Sequence, residues 1–439
     1  MSSNSNAIQR GKNLYIAEAG IEYLISILFA GTFLAKLTSE IGMSDSLTGI
    51  LSSIISLGCL FQLLSLAVHR PRVKTLVVTL SIANQLLFLL LYVIPLFSIS
   101  KTAKTVLFTI FILLAYLIYY FAHPKKISWL MSLVDDGERG TFTANKEIVS
   151  LVCGIGFSLI MGRVIDTLSE RGDTRLALLV CGIVVLVLTV LHTLTMILTP
   201  EIPSAHESCE TREKRATLLD TLPKILKNKR LMAVIPIFIL YYIAKDVAIP
   251  FFGTYQINEL SFSLQLVSLL TMIGSVARIA VSRYWGKYAD QNGFVRMLLW
   301  TFVFLALSFL CTTLATPTTG LVAFTLYYIF SGIANGGINS ALINLVFDYT
   351  DPEERSDSLA LCQAASGVVG FLATLATAPL ITLIQARDSH VLGITIYAQQ
   401  LVSFLALIIC ACTIFYICKM MRHLAKRGTN QSAGGNETL

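Results

Sequence analysis

Charged residues interrupt otherwise apolar parts of the chain at three places. Glu18 and Glu22 lie four positions apart in the first apolar segment. The stretch HPKK, residues 123–126, follows another apolar run, and Lys245 and Asp246 are neighbours within a third. Such side chains can carry a proton, pair with one another or bind a polar solute, and charges in apolar surroundings are costly unless they face a partner or a wet cavity. The pattern therefore predicts a binding or coupling site built from carboxylates, lysines and a histidine.

The composition indicates what kind of protein carries these charges. Of its 439 residues, 55% are hydrophobic and 13% are charged, and the mean hydropathy is +0.73. A soluble domain carries charge on about a quarter of its residues, and apolar runs of about eighteen residues or more require a bilayer. We therefore expect a polytopic membrane protein whose main surroundings are the lipid bilayer.

Several other functions are disfavoured because their motifs do not occur. The nine cysteines are scattered without the spacing of a metal site, and there is no HExxH pattern. There is also no GxxxxGK[ST] pattern for nucleotide phosphates and no cleavage site of a signal peptide. We therefore expect no metal, no cofactor and no enzyme activity. The net charge of +7 is read by its location in the chain, so no nucleic acid is expected as a partner.

Apolar segments alternate with polar breaks in a way that predicts twelve membrane spans. The spans are expected at residues 14–37, 46–68, 75–97, 105–134, 142–162, 176–199, 233–255, 265–283, 297–316, 320–347, 357–385 and 392–418. With both termini inside, the cytoplasmic links hold 21 of the 33 Lys and Arg residues, and the opposite side holds 7. This excess of positive charge places both termini in the cytoplasm, with the plasma membrane as the expected location.

The longest hydrophilic stretch, residues 200–230, separates the sixth span from the seventh. It predicts an N-terminal six-helix bundle over residues 1–200, a cytoplasmic linker over 201–232 and a C-terminal six-helix bundle over 233–420. The last residues, 421–439, are expected to form a disordered cytoplasmic tail.

Two segments at equivalent positions of the halves resemble each other. They are SWLMSLVDDGERGTFTANKEIVSLVCGIGF at 128–157 and SALINLVFDYTDPEERSDSLALCQAASGVVGF at 340–371. A further stretch, GKYADQNGFVR at 286–296, has glycines that allow a tight turn and an aspartate that can accept hydrogen bonds from a helix N-terminus. With these features and its six-plus-six layout, the chain resembles the major facilitator superfamily over essentially its whole length.

This resemblance implies a fold class and a set of gating residues. The implied fold is an all-α membrane protein with twelve transmembrane helices in two pseudo-symmetric six-helix bundles. The implied gating loops contain Gly286, Asp290, Gly293, Arg296, Arg139 and Arg355.

The repeat also decides how HPKK is placed. Asn335-Gly336-Gly337 stands opposite His123-Pro124-Lys125, and the apolar run before it, from residue 320, is too short to cross a membrane alone. The tenth span must therefore continue through the glycines, and by the repeat the fourth continues through HPKK. Helix-breaking residues at matching positions of two repeats are typical of a transporter's binding region.

The resemblance further implies that the first, fourth, seventh and tenth helices line a central cavity. The predicted site residues on these helices are Glu18, Glu22, His123, Lys125, Lys126, Lys245, Asp246, Asn335 and Asn339. Glu22 is expected to pair with Lys125 or Lys126, since their depths agree, and the other lysine is expected to extend toward the headgroups or the cytoplasm. Asp246 is a candidate proton carrier. For Glu18, a solvated or helix-terminal position near the interface is favoured.

These features predict a secondary active transporter that moves a small organic solute by alternating access, with proton coupling through intramembrane carboxylates. The alternatives left open are a multidrug–proton efflux antiporter and a membrane sensor that binds a solute without moving it. The clustered lysines favour an anionic or polyhydroxylated small-molecule substrate, and a proton or another ion is the expected coupling partner. The protein is expected to act as a monomer.

Overall fold

The computed structural model describes residues 2–58, 60–62, 73–134, 139–201, 228, 231–350, 355–386, 390–391, 394–395 and 397–434. The chain groups into two compact units: unit 1 comprises residues 1–215 and 250–269, and unit 2 comprises residues 216–249 and 270–439. Residues 250–269 therefore group with unit 1, although they lie inside the predicted C-terminal bundle. The predicted linker over 201–232 lies almost wholly outside the described residues.

The helices before the linker all belong to unit 1. In chain order they are α1 (Ser2–Ile27), α2 (Gly31–Ile41), α3 (Asp45–Ser53), α4 (Val73–Val93), α5 (Lys101–Met131), α6 (Arg139–Glu170) and α7 (Thr174–Leu198). A 3₁₀ turn, Ile54–Leu57, extends α3, and another, Ile94–Leu96, extends α4.

The remaining helices follow the linker. They are α8 (Leu231–Ala248), α9 (Leu264–Asn292), α10 (Phe294–Thr313), α11 (Gly320–Asn335), α12 (Ile338–Tyr349), α13 (Arg355–Gln385) and α14 (Ala398–Gly434). Between α8 and α9 the chain forms a 3₁₀ turn, one α-turn and a π-turn, over Ile249–Phe251, Phe252–Thr254 and Tyr255–Glu259. Two short strands, β1 (His390–Val391) and β2 (Ile394–Thr395), pair antiparallel before α14.

The described helices agree with the predicted twelve-helix membrane fold. Among the described residues, ten helices are long and apolar enough to cross a membrane, and α1 with α2 forms an eleventh as a bent pair. The shorter apolar helix Asp45–Leu57 begins the predicted second span, of which most of the later residues lie outside the described part. At the other end, α14 runs to Gly434, into the range where a disordered tail is expected.

The same packing pattern recurs in both units. In unit 1, α1 packs against α6 and α7, while α4 packs against α5 and α7. In unit 2, α8 packs against α13 and α14, while α10 packs against α11 and α14. Each of these helices in unit 2 has the partners of the helix six spans earlier. The structure therefore supports the internal repeat that the two similar sequence segments indicate.

The polar stretch HPKK lies inside α5, as predicted. The helix runs from Lys101 to Met131 with Pro124 in its interior, although a proline removes one helical hydrogen bond and crowds the carbonyl four residues earlier. At the matching place in unit 2 the chain does break, because α11 ends at Asn335 and α12 begins at Ile338. The two helices still form a single span, Gly320–Tyr349.

The first span is bent by 43° between α1 and α2. The chain leaves helical geometry at residues 28–30, and Gly31 takes φ 53°, a left-handed value that favours glycine. Two carbonyls freed by the bend accept hydrogen bonds from buried tyrosines: Tyr92 on α4 donates to Leu28 at 2.9 Å, and Tyr116 on α5 donates to Phe29 at 3.2 Å. The bend thus leaves neither carbonyl unsatisfied in an apolar interior.

Glycine contacts between α9 and α11 give a test of this packing. A Cβ added at Gly332 would overlap the carbonyl oxygen of Gly274, whereas one added at Gly286, also in a helix, would meet nothing within 4 Å. Gly332→Ala should lower the thermal unfolding temperature of the purified protein, since overpacking costs about 1–3 kcal/mol. Gly286→Ala should leave that temperature unchanged or raise it slightly. Equal unfolding temperatures for the two variants would contradict the close approach of α9 and α11.

Candidate functional site

The two carboxylates of α1 meet one lysine of α5. Glu18 and Glu22 are four residues apart and share a face of α1. The Nζ atom of Lys126 donates a hydrogen bond to Oε1 of Glu18 at 3.0 Å and forms an ion pair with Glu22. One ammonium group therefore joins two carboxylates inside unit 1.

A histidine on α7 completes this group. The Nε2 atom of His192 lies 3.0 Å from Oε1 of Glu18 and 3.5 Å from Oε2 of Glu22. On its other side, Nδ1 of His192 lies 2.8 Å from Nε2 of Gln85, on α4. Because the Gln85 amide nitrogen donates, Nδ1 accepts, and the ring proton lies on Nε2, which donates to Glu18. We call Glu18, Glu22, Lys126 and His192 the buried cluster.

The members of the buried cluster differ in their access to solvent. The side chains of Glu18 and His192 are 1% exposed, that of Lys126 is 7% exposed and that of Glu22 is 18% exposed. A small cavity, with room for about one water molecule, borders the cluster, lined by Glu22, Leu80, Ser81, Asn84, Gln85, Tyr119, Ala122, His123, Lys126 and His192. Glu22 is therefore the member of the cluster most accessible to water.

The charges of the buried cluster do not cancel. With His192 neutral, two carboxylates face one ammonium, which leaves the four groups with a net charge of −1 in a largely buried place. Buried charge without compensation is strongly unfavourable, and one proton on His192 would bring the sum to zero. Oxygens of Glu18 and Glu22 and a nitrogen of His192 lie within 4.8 Å of one another, the spacing of a cation site. Lys126 already supplies the positive charge at this place.

A further lysine near the cluster lies on α6. Nζ of Lys146 is 3.4 Å from the hydroxyl of Tyr15 and 5.0 Å from the centroid of its ring. Within the described residues, Lys146 makes no ion pair with the carboxylates of the cluster, and it adds a positive charge at longer range.

The structure corrects one prediction for α1 and α5 and resolves another. Glu18 does not lie solvated near the interface, because α1 begins at Ser2 rather than near residue 14 and so carries Glu18 deep into the unit. Of the two predicted partners of Glu22, the structure selects Lys126, while Lys125 lies half-buried outside the cluster. His123 lines the cavity beside Tyr119, with ring centroids 5.5 Å apart.

The other predicted site residues lie in unit 2. Asp246 is 2% exposed, and its Oδ1 lies 3.7 Å from Nζ of Lys245. Thr374 on α13 donates to the carbonyl of Asp246 at 2.6 Å. Asn335 is half-buried and donates to Ser331 at 3.2 Å, and Asn339 is exposed. Whether these residues share a cavity with the buried cluster stays a prediction.

The predicted gating residues lie at helix ends or near them. Arg139 begins α6 and Arg355 begins α13, which are matching helices of the repeat. Gly286 and Asp290 belong to the last turns of α9, and Gly293, with φ 83°, separates α9 from α10, where Arg296 is exposed. Asp290 is exposed, and among the described residues it accepts no hydrogen bond from a helix N-terminus. Their gating role stays a prediction.

The sequence reasoning missed His192 and Gln85. Both lie in apolar runs, within the predicted spans 176–199 and 75–97, and neither is counted in a search for Asp, Glu, Lys and Arg. Asn84, beside Gln85, donates to the carbonyl of Ala115 at 2.8 Å. A search for every polar side chain in the middle of a span would have found these residues, since buried polar groups need a partner.

Comparisons with known proteins support a transport fold. The family model described as Major Facilitator Superfamily matches residues 19–374. The solved structure of the nucleoside transporter NupG has a TM-score of 0.71 and 16% identity, and the match covers 95% of this chain and 99% of that chain. The D-xylose-proton symporter has a TM-score of 0.62 and 14% identity, covering 91% and 96%.

A bacterial homolog of the human lysosomal transporter Spinster has a TM-score of 0.65 and 12% identity, covering 96% of this chain and 98% of that chain. At these identities the likeness concerns the fold. Comparison with curated protein sequences gives no match.

The buried cluster makes a prediction about stability. Lys126→Met should lower the thermal unfolding temperature strongly, since removing one partner of a buried pair costs about 3–5 kcal/mol. Lys125→Met, at the next position but outside the cluster, should have little effect. Adding Glu22→Gln to Lys126→Met should restore part of the loss, because one uncompensated carboxylate is then removed. An unfolding temperature for Lys126→Met equal to that of Lys125→Met would show that the cluster does not stabilise unit 1.

Proposed function

This chain belongs to the Major Facilitator Superfamily, and on that premise we propose that it is a proton-coupled transporter of a small, neutral, polyhydroxylated solute. The observation that carries the proposal is the buried cluster, in which Lys126 joins Glu18 and Glu22 while His192 donates to Glu18. A transporter of this kind moves its solute by alternating access, using the energy of an ion gradient.

Proton coupling is supported by the net charge of the cluster. A cluster at −1 attracts one proton, and His192 offers a place for it because an imidazole ring can carry a proton on each of its two nitrogens. The incoming proton would occupy Nδ1, which now accepts from Gln85 at 2.8 Å. Gln85 is 3% exposed, and its Oε1 atom has no hydrogen-bond partner among the described residues. A flip of the Gln85 amide would turn this oxygen toward the protonated ring and satisfy both groups.

We propose that Glu22 couples the binding of the proton to the binding of the solute. This carboxylate shares Lys126 with Glu18, and it is the member of the cluster most exposed to the cavity. Solute hydroxyls that donate to Glu22 would compete with Lys126 for the same oxygens. Protonation of His192 shifts that competition by adding a second positive charge beside both carboxylates. Occupancy of the solute site and of the proton site would then depend on each other.

The class of solute follows from the charges that remain available. Lys126 is engaged by two carboxylates, and Lys245 lies 3.7 Å from Asp246. An anionic solute that bound Lys126 or Lys245 would have to displace one of these carboxylates, whereas a hydroxylated solute can donate to them without a change in net charge. The solved transporters with a similar fold include one for nucleosides and one for D-xylose. Of the anionic and polyhydroxylated solutes that the clustered lysines favour, we therefore propose the second, a neutral nucleoside or sugar.

The setting proposed for this activity is the plasma membrane. Both termini would lie in the cytoplasm because the predicted cytoplasmic links hold 21 of the 33 Lys and Arg residues. All members of the buried cluster lie within unit 1, so one chain contains a whole coupling site, and a monomer would suffice.

Uptake into proteoliposomes tests the proposed function. Purified protein should accumulate radiolabelled uridine or D-xylose when the lumen is alkaline, and should only equilibrate the solute without a pH gradient. Protein-free liposomes provide the background. If either solute accumulates to the same level with and without the pH gradient, the proposed proton coupling is wrong. Binding of the solute without flux would indicate a sensor. Export of amphiphilic cations driven by the same pH gradient would indicate an efflux antiporter.

Substitution of Glu22 tests its coupling role. Glu22→Gln should keep counterflow exchange of the solute but lose gradient-driven accumulation, since the amide cannot take part in the change of charge. Glu40→Gln is the matched control, because Glu40 pairs with Lys36 at 3.2 Å outside the cluster. Wild-type accumulation by Glu22→Gln in the same assay would refute the role of Glu22.

A further inference from the structure

Residues 250–269 form an irregular segment that groups with unit 1, although the chain on both sides of it belongs to unit 2. The segment contains the α-turn and the π-turn before α9, and Ser261 has φ 53°, an unfavourable left-handed value for a residue with a side chain. We call it the latch segment. Such a backbone persists only where its surroundings hold it in place.

The main polar contact of the latch segment is made by Asp166, near the end of α6. Its Oδ1 atom accepts from the backbone N–H of Leu264 at 3.0 Å, and its Oδ2 atom accepts from that of Gln265 at 2.8 Å. These are the first two residues of α9, whose N–H groups have no partner within the helix. Both oxygens of one carboxylate thus cap a helix that belongs to a different part of the chain.

The cap provided by Asp166 is additional to a local one. Ser263, directly before α9, accepts from the N–H of Leu266 through its hydroxyl at 3.1 Å. A serine at this position is a sufficient N-cap for an ordinary helix. Loss of the Asp166 carboxylate should therefore leave α9 folded and weaken only its attachment to α6.

A second polar contact lies on the other side of the latch segment. Asn258 donates to Oδ1 of Asp45, the first residue of α3, at 2.8 Å. The hydroxyl of Ser39 on α2 lies 3.4 Å from Oδ1 of Asn258. The latch segment is thus held by α2 and α3 on one side and by several hydrogen bonds to α6 on the other.

Glycines let the latch segment approach unit 1 closely. A Cβ added at Gly253 would lie 2.8 Å from the carbonyl oxygen of Gly31, and one added at Gly162 would lie 3.0 Å from the backbone nitrogen of Gln265. The first distance is shorter than real side chains show and the second is tight, so the backbones lie close together at both places. Small residues at an interface allow such close packing.

We propose that Asp166 is a positioning residue of the transport cycle, which keeps the latch segment closed against unit 1 by capping α9. The chain continues from the latch segment into α8 on one side and the rest of α9 on the other, both in unit 2. A rearrangement of unit 2 during alternating access must therefore carry the latch segment away or bend these helices. Asp166 sets how readily the segment leaves.

Accessibility of a buried position within the latch segment tests this proposal. Thr254 is 1% exposed, and Thr254→Cys should react slowly with a polar maleimide when the full-length protein is held in lipid nanodiscs. Adding Asp166→Ala should increase the labelling rate at least tenfold, because it removes two charge-assisted hydrogen bonds. Asp166→Asn, which keeps one acceptor oxygen, should give an intermediate rate. The same variants without the new cysteine give the background from the nine native cysteines.

The matched control is Asp173→Ala. Asp173 is an exposed aspartate directly before α7, and its side chain makes no capping hydrogen bond. It should leave the labelling rate of Thr254→Cys unchanged. Equal rates in the Asp166→Ala and Asp173→Ala backgrounds, with monodisperse protein in both, would overturn the proposal.

A second variant covers a failure of folding. If Asp166→Ala gives no monodisperse protein, Asn258→Ala removes the contact with Asp45 and should also raise the labelling rate. If neither variant folds, the contacts are structural and the proposal is wrong. The role of the latch segment in a transport cycle rests on the proposed function. The labelling rate, however, can be measured without any solute. If labelling is faster but uptake is absent, the role proposed for Asp166 is supported and the proposed solute or coupling is wrong.

Discussion

The contact of one lysine with two carboxylates is the constraint on which the site depends. Lys126 bonds to Glu18 and pairs with Glu22, and all three side chains lie in the interior of unit 1. None of these charges is tolerable there alone. The relative depth and rotation of α1 and α5 must therefore keep Lys126 in contact with both carboxylates. His192 and Gln85 then fix the same place from α7 and α4. Side chains from four helices, α1, α4, α5 and α7, thus meet at the buried cluster and its hydrogen-bond partner Gln85.

The large-scale fold could be predicted because each of its causes is local in the sequence. Span positions follow from the length of apolar runs, and the repeat follows from matching segments such as those that contain Arg139 and Arg355. The path of α5 through Pro124 required one more step, a comparison of run lengths between the halves. Hydropathy alone would have ended this helix at the polar stretch.

The site could be predicted only in part, since contacts depend on helix rotation and on where a helix begins. Glu22 and Lys126 were recognised because charges in spans are rare, but the choice between Lys125 and Lys126 depends on a rotation of about 100°. Glu18 was misplaced because the polar residues before it do not show that α1 starts at Ser2. His192 was missed because a neutral histidine does not stand out by charge.

The two units share a packing scheme but differ in how their polar groups are arranged. Unit 1 gathers charged groups from α1, α5 and α7 into one cluster, whereas in unit 2 the buried Asp246 has the neighbouring Lys245 at 3.7 Å and a hydroxyl from α13 on its carbonyl. Repeated scaffolds can therefore carry unequal chemistry. The repeat constrains helix partners, and single substitutions decide which half holds the ionisable groups.

The bend in the first span has a mechanical consequence. Tyr92 and Tyr116 fasten the carbonyls of Leu28 and Phe29, so the break is a pivot anchored to α4 and α5. On one side of it α1 bears the carboxylates, and on the other α2 extends 11 residues, or about 16 Å, to the region of Ser39. A tilt of about 10° about that pivot moves the far tip by about 3 Å, roughly the length of one hydrogen bond. A tilt of that size is enough to make or break the contact between Ser39 and Asn258.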